Sequence, residues 1–76
     1  MAEVNRMYLS KIKTMIHRGD APDDIIPILR SYQYQGGAKQ SLADMLAKIA
    51  DEELTVQQAN TLDQLTQAAP TLWPAL

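Results

Sequence analysis

The stretch PDDIIPILRSYQYQGGAKQSLADMLAKI, residues 22–49, decides the fold of this chain. It carries two sets of apolar residues at the spacing i, i+3, i+4, i+7, which places each set on one face of a helix. Gly36-Gly37 lies between the sets and predicts the end of the first helix, because glycine readily adopts the left-handed conformation of a C-terminal cap. The two sets are Ile25, Ile28, Leu29 and Tyr32, and then Leu42, Met45, Leu46 and Ile49.

The residues before the first set predict where its helix begins. Asp20 and Asp23 have the three-residue spacing of a capping box. Asp23 and Asp24 also place negative charge at the positive end of the helix dipole. A start near Asp23 puts Pro27 in the first turn, where a missing backbone N–H costs little.

The flanking segments predict one further helix on each side. Residues 2–18 place an apolar set within an arc roughly 140° wide. Thr55 and Gln58 form a capping box before a helix over residues 56–68 that has a thin apolar face, and Pro70 ends that helix. We therefore predict an all-α fold, a small bundle of four short helices arranged as two helical hairpins. The apolar set of the first helix is Val4, Tyr8, Leu9, Ile12, Met15 and Ile16.

Length and composition predict one small domain without covalent cross-links. We divide its 76 residues into a helical bundle over residues 1–69 and an apolar C-terminal tail with proline and tryptophan over residues 70–76. The chain has no cysteine, so it has neither a disulfide nor a thiolate metal site. It also lacks an apolar run of the ~20 residues that span a membrane and an apolar signal segment. We therefore expect a cytoplasmic protein that does not bind a membrane.

The search for catalytic, metal-binding and cofactor-binding patterns yields none. His17 is the only histidine, and no acidic residue is placed in the sequence to orient it beside Ser10. Asp51, Glu52 and Glu53 are consecutive, so they cannot all face one ion from a helix, and we predict a solvated loop. The segment that begins at Gly36 lacks both the spacing and the preceding strand of a phosphate-binding loop. We predict a non-enzymatic protein with no metal, cofactor or small-molecule substrate.

The second half of the chain offers one nucleic-acid reading. QSLADMLAKIADEELTVQQANTL resembles repressor-type helix-turn-helix segments, which implies a DNA-binding regulator whose Gln57, Gln58 and Asn60 read base edges. The cations that would neutralise phosphates lie elsewhere, however, because the net charge is +2 over residues 1–40 and −4 over residues 41–76. DNA binding is therefore our alternative function, and we expect a protein partner rather than a nucleic acid.

Two features exceed what a self-contained bundle needs. One is the apolar tail, because tryptophan is favoured as an interface anchor. The other is the supply of methionines, Met7, Met15 and Met45, which suit adaptable apolar surfaces. Beside the second apolar set lies a small-residue face, Ala43, Ala47 and Ala50, which would let another helix approach closely. We predict a protein–protein interaction module, a small inhibitor or adaptor of a regulatory protein that is also a candidate homodimer. The predicted partner-binding residues are Leu72, Trp73 and Leu76 of the tail and Lys11, Lys13 and Arg18 of the first helix.

Overall fold

The structure, a computed structural model, describes the backbone of residues 2–73 and the side chains of residues 5–73. This range folds into four α-helices and contains no strand, which confirms the predicted all-α bundle. The first two helices pack together, as do the last two, and a short 3₁₀ helix packs against α2, α3 and α4. The elements are α1 (Ala2–Arg18), α2 (Pro22–Tyr34), α3 (Lys39–Ala50), α4 (Val56–Ala68) and the 3₁₀ helix η1 (Ala69–Leu72). Over the same range, no helix has the length and apolar character needed to cross a bilayer.

The predicted apolar faces meet in one core. Nine large side chains of residues 5–73 are less than 2% exposed, with Tyr32 the largest of them, so the centre of the bundle is closed to water. Leu9, Met15 and Ile28 are only partly buried, and the side chain of Val4 lies outside the described residues. Burial of these apolar side chains is the main favourable contribution to folding in a domain of this size. The buried apolar residues are Tyr8, Ile12, Ile16, Ile25, Leu29, Tyr32, Leu42, Met45, Leu46, Ile49, Leu62, Leu65 and Ala69.

The end of α2 follows the prediction for Gly36-Gly37. Gly36 has φ +89°, a conformation that an L side chain rarely adopts. The Gly36 N–H donates to the Gln33 carbonyl at 3.1 Å, and the Gly37 N–H donates to the Tyr32 carbonyl at 3.0 Å. These two bonds satisfy carbonyl groups that the last turn of the helix leaves open.

The start of α2 differs from the prediction. The helix begins at Pro22 with Ala21 as its N-cap, so Asp20 lies one residue too early to cap it, and the predicted capping box is wrong. The Asp20 carboxylate instead accepts a hydrogen bond from Arg18 Nε at 3.0 Å. Pro27 consequently lies in the second turn rather than the first. The helix continues through it because Asp23, whose carbonyl loses its partner, is exposed and can be hydrated.

The start of α4 confirms its prediction and adds a contact with α1. The Thr55 hydroxyl accepts a hydrogen bond from the Gln58 N–H at 3.1 Å, and the Thr55 N–H donates to Gln58 Oε1 at 3.0 Å. The second end of the same amide, Gln58 Nε2, donates to the His17 carbonyl at 3.2 Å. One side chain therefore caps α4 and binds the last turn of α1.

Candidate protein-binding site

An apolar groove lies beside α3, and we call it the α3–α4 groove. Its volume is about 530 Å³. Leu42, Met45 and Ile49 turn into the core, and this rotation leaves the small-residue face of α3 as one wall. The opposite wall forms where α4 ends and Pro70 turns the chain into η1. The lining residues are Lys39, Gln40, Ala43, Leu46, Ala47, Ala50, Thr66, Ala69 and Pro70.

The walls of the groove are mainly methyl and methylene groups. Ala43, Ala47 and Ala50 are all exposed, so the predicted small-residue face is not covered within the described part of the chain. The polar side chains of α3 in the groove, Lys39 and Gln40, lie together in its first turn. The groove is therefore apolar along its length and cationic at one end.

The predicted tail residues belong to the bundle as far as the structure describes them. Leu72 and Trp73 are partly buried and pack against the hydrophobic core, and η1 contacts three helices. Ala69, at the predicted boundary between bundle and tail, is itself a core residue. Leu76 lies outside the described residues. The described part of the tail thus packs onto the bundle, and the α3–α4 groove is the candidate binding surface.

The predicted basic residues of α1 have different environments. Lys13 forms an ion pair with Glu52, which also accepts a hydrogen bond from His17 Nε2 at 3.0 Å. The contact with Lys13, and to a smaller extent the contact with His17, lowers the pKa of Glu52 from its ordinary value. Because Glu52 belongs to the α3–α4 loop, its carboxylate joins the two hairpins.

Arg18 is also paired within the chain, whereas Lys11 is exposed. The hydrogen bonds between Arg18 and Asp20 lower the pKa of Asp20 and raise the pKa of Arg18. No acidic side chain of residues 5–73 lies within ion-pair distance of Lys11. In the structure Lys13 and Arg18 form ion pairs within the chain, and Leu72 and Trp73 pack against its hydrophobic core.

Catalytic geometry around His17 differs from the expectation in one respect. The sequence places no acid beside this histidine, but Glu52, 35 positions away, is hydrogen-bonded to it. Ser10 lies two helical turns before His17, about 10 Å along the axis, which is too far for direct proton transfer. Among the described residues, no three histidine or acidic side chains are grouped closely enough to hold a metal ion.

The helix-turn-helix interpretation loses one of its three base-reading candidates. Gln58 is occupied by Thr55 and by the His17 carbonyl, whereas Gln57 and Asn60 are exposed on α4.

Comparison of the chain with protein-family models, with curated proteins and with solved structures gave no match in any of the three.

Proposed function

We propose that this chain is a non-enzymatic protein-binding module that receives a helix of its partner in the α3–α4 groove. The observation that carries the proposal is the exposed row Ala43, Ala47 and Ala50 along an apolar groove of about 530 Å³. Side chains as small as alanine permit the axes of two helices to approach to about 8 Å. An amphipathic helix laid in a groove is a common mode of protein recognition.

The composition of the walls favours a helix over a small molecule. Small-molecule sites combine an apolar cavity with a few polar groups that fix the orientation of the ligand. Here Lys39 and Gln40 lie at one end, and the rest of the α3 wall offers little that could orient a compact ligand. A helix needs no such convergence, because its own backbone is satisfied internally and its apolar face supplies the contact. That the partner is a regulatory protein, inhibited or bridged by this chain, stays a prediction from the sequence.

A site-specific crosslink tests the proposal in the cells that make the protein. Benzoylphenylalanine at Ala47 places a photoreactive group on the wall of the groove, and the same group at Thr14, exposed on α1, is the control. We expect a covalent protein adduct at position 47, and at least fivefold less at position 14. The adduct should also disappear when Ala43→Arg fills the groove.

Two results would refute the binding function. One is the absence of any protein adduct at position 47. The other is an equal yield of adducts at positions 47 and 14, because a specific surface must differ from an arbitrary exposed position on another helix. Circular dichroism of both substituted chains should be unchanged, since both positions are exposed.

A further inference from the structure

We propose that the occupant of the α3–α4 groove is α3 of a second copy of this chain, antiparallel to the first about a two-fold axis at the level of Met45. The inference rests on the proposed function, because it names the partner of the same groove. Most soluble oligomers are symmetric, and a two-fold interface must be complementary to itself. The exposed face of α3 meets this requirement in both shape and charge.

The face of α3 is symmetric about its midpoint. In an antiparallel pair whose two-fold axis lies at the level of residue 45, two residues lie opposite each other when they are equally distant from residue 45 on its two sides and belong to different copies. Ala43 therefore lies opposite Ala47, and Gln40 lies opposite Ala50. At about 100° per residue, the two members of each pair lie symmetrically about the direction opposite Met45. Both pairs therefore lie on the same face of the helix. All four of these residues are exposed, and all four line the groove.

Charge selects the antiparallel orientation. Lys39 and Asp51 are the outermost pair of the face, about 18 Å apart along the axis and again centred on level 45. Neither forms an ion pair with a described side chain. The two-fold axis places Lys39 of each copy opposite Asp51 of the other, which gives two attractive pairs. A parallel arrangement would instead oppose lysine to lysine and aspartate to aspartate.

The helix dipole supports the same arrangement. Lys39 is the first residue of α3 and Asp51 is its C-cap, so each has the charge that the dipole of its own helix disfavours. In the antiparallel pair, Lys39 lies near the C-terminus of the second α3, and Asp51 lies near its N-terminus. Both charges then suit the neighbouring dipole. This reversed arrangement is expected if the two residues serve an interface rather than the isolated helix.

The required area is available on a chain of this size. A specific interface buries at least about 1,000 Å² in total, or about 500 Å² from each copy. That is about a tenth of the chain's accessible surface of 5073 Å². An interface near this lower limit gives a weak dimer, so the dimer should dissociate on dilution.

A charge exchange tests the inference on the purified full chain. Sedimentation equilibrium over a range of concentrations measures the dimer dissociation constant. Lys39→Asp alone and Asp51→Lys alone should each weaken the dimer at least tenfold, because each replaces two attractive pairs with two repulsive ones. The double variant Lys39→Asp/Asp51→Lys restores opposite charges and should return the constant to within threefold of the original. Lys11→Asp, with the same change of charge on α1, is the control and should have no effect.

The substitutions should not unfold the chain, because Lys11, Lys39 and Asp51 are all exposed. Those at the two ends of α3 also suit its dipole better than the native residues do. A dimer that the single variants leave intact, or that the double variant fails to restore, overturns the inference. A chain that stays monomeric at millimolar concentration also overturns it. If position 47 then still crosslinks to a different protein, the binding function stands and only the identity of the partner is wrong. If it crosslinks to nothing, both fail.

Discussion

Gly37 should be the glycine whose replacement by alanine disturbs the core most directly. A Cβ atom at this position would lie 2.3 Å from Cε2 and 2.5 Å from Cζ of Tyr32, far inside van der Waals contact. The ring cannot easily move away, since Tyr32 is 1% exposed and packs edge-on against Tyr8 with centroids 5.2 Å apart. Its hydroxyl also donates to Asn5 Oδ1 at 2.6 Å. Gly37→Ala must therefore displace a buried aromatic ring.

The size of the destabilisation follows from the overpacking of the ring and from the hydrogen bond that the ring would lose. Overpacking a core costs about 1–3 kcal/mol, and loss of the hydrogen bond to Asn5 adds about 1 kcal/mol. We expect Gly37→Ala to lower the free energy of unfolding by about 2–4 kcal/mol. For a domain of this size that corresponds to a fall in Tm of roughly 10–25 °C.

A double-mutant cycle in urea, followed by circular dichroism, assigns the loss to the ring. In the background Tyr32→Val the clashing atoms are absent, so Gly37→Ala should cost less than about 1 kcal/mol. Gly36→Ala is the matched control, because position 36 has a left-handed φ but open space around it. Its cost should come from backbone strain, about 1–2 kcal/mol, and should be equal in both backgrounds. A Gly37→Ala cost below about 0.5 kcal/mol, or one that Tyr32→Val leaves unchanged, would refute the steric argument.

Two further predictions concern the cap of α4 and the carboxylate that joins the hairpins. Thr55→Ala removes the hydroxyl that accepts from the Gln58 N–H and should lower the free energy of unfolding by about 1 kcal/mol in urea titrations. Thr14→Ala removes an exposed hydroxyl from the middle of α1, where it donates to the Ser10 carbonyl, and should lower the free energy of unfolding by less than about 0.5 kcal/mol. The pKa of Glu52 is lowered in the folded chain, so its contribution to stability is present above the unfolded value, about 4.3, and disappears as the pH falls through the folded value. Glu52→Gln should therefore flatten the acid side of a plot of Tm against pH, and the exposed neighbour substitution Glu53→Gln should leave its shape unchanged. A Thr55→Ala loss no larger than that of Thr14→Ala, or an unchanged acid limb in Glu52→Gln, would contradict these assignments.

Local patterns predicted the helices well where the determinants are close in sequence. The bounds of α1 and α4 match the predicted ranges because glycine, proline and the box formed by Thr55 and Gln58 act within a few residues. The start of α2 was missed because two local signals competed there. Pro22, suited to the first position of a helix, set the boundary, and Asp20 was left to pair with Arg18.

The long-range side-chain contacts could not be predicted in the same way. The ion pair of Lys13 with Glu52 depends on how the second hairpin lies against α1, which no spacing in the sequence expresses. The candidate groove is an intermediate case. Its α3 wall was visible as the row Ala43, Ala47 and Ala50, whereas its second wall exists only because Pro70 ends α4 beside that row.

The amide of Gln58 explains why this position needs glutamine rather than the glutamate that serves equally well in other capping boxes. A carboxylate could accept from the Thr55 N–H, but it has no hydrogen to give to the His17 carbonyl and would repel that oxygen. Only a side chain that both gives and takes a hydrogen can complete α4 and hold α1 at once. The amide therefore completes the cap of α4 with its oxygen and ties α4 to the last turn of α1 with its nitrogen, so a single side chain links the two hairpins.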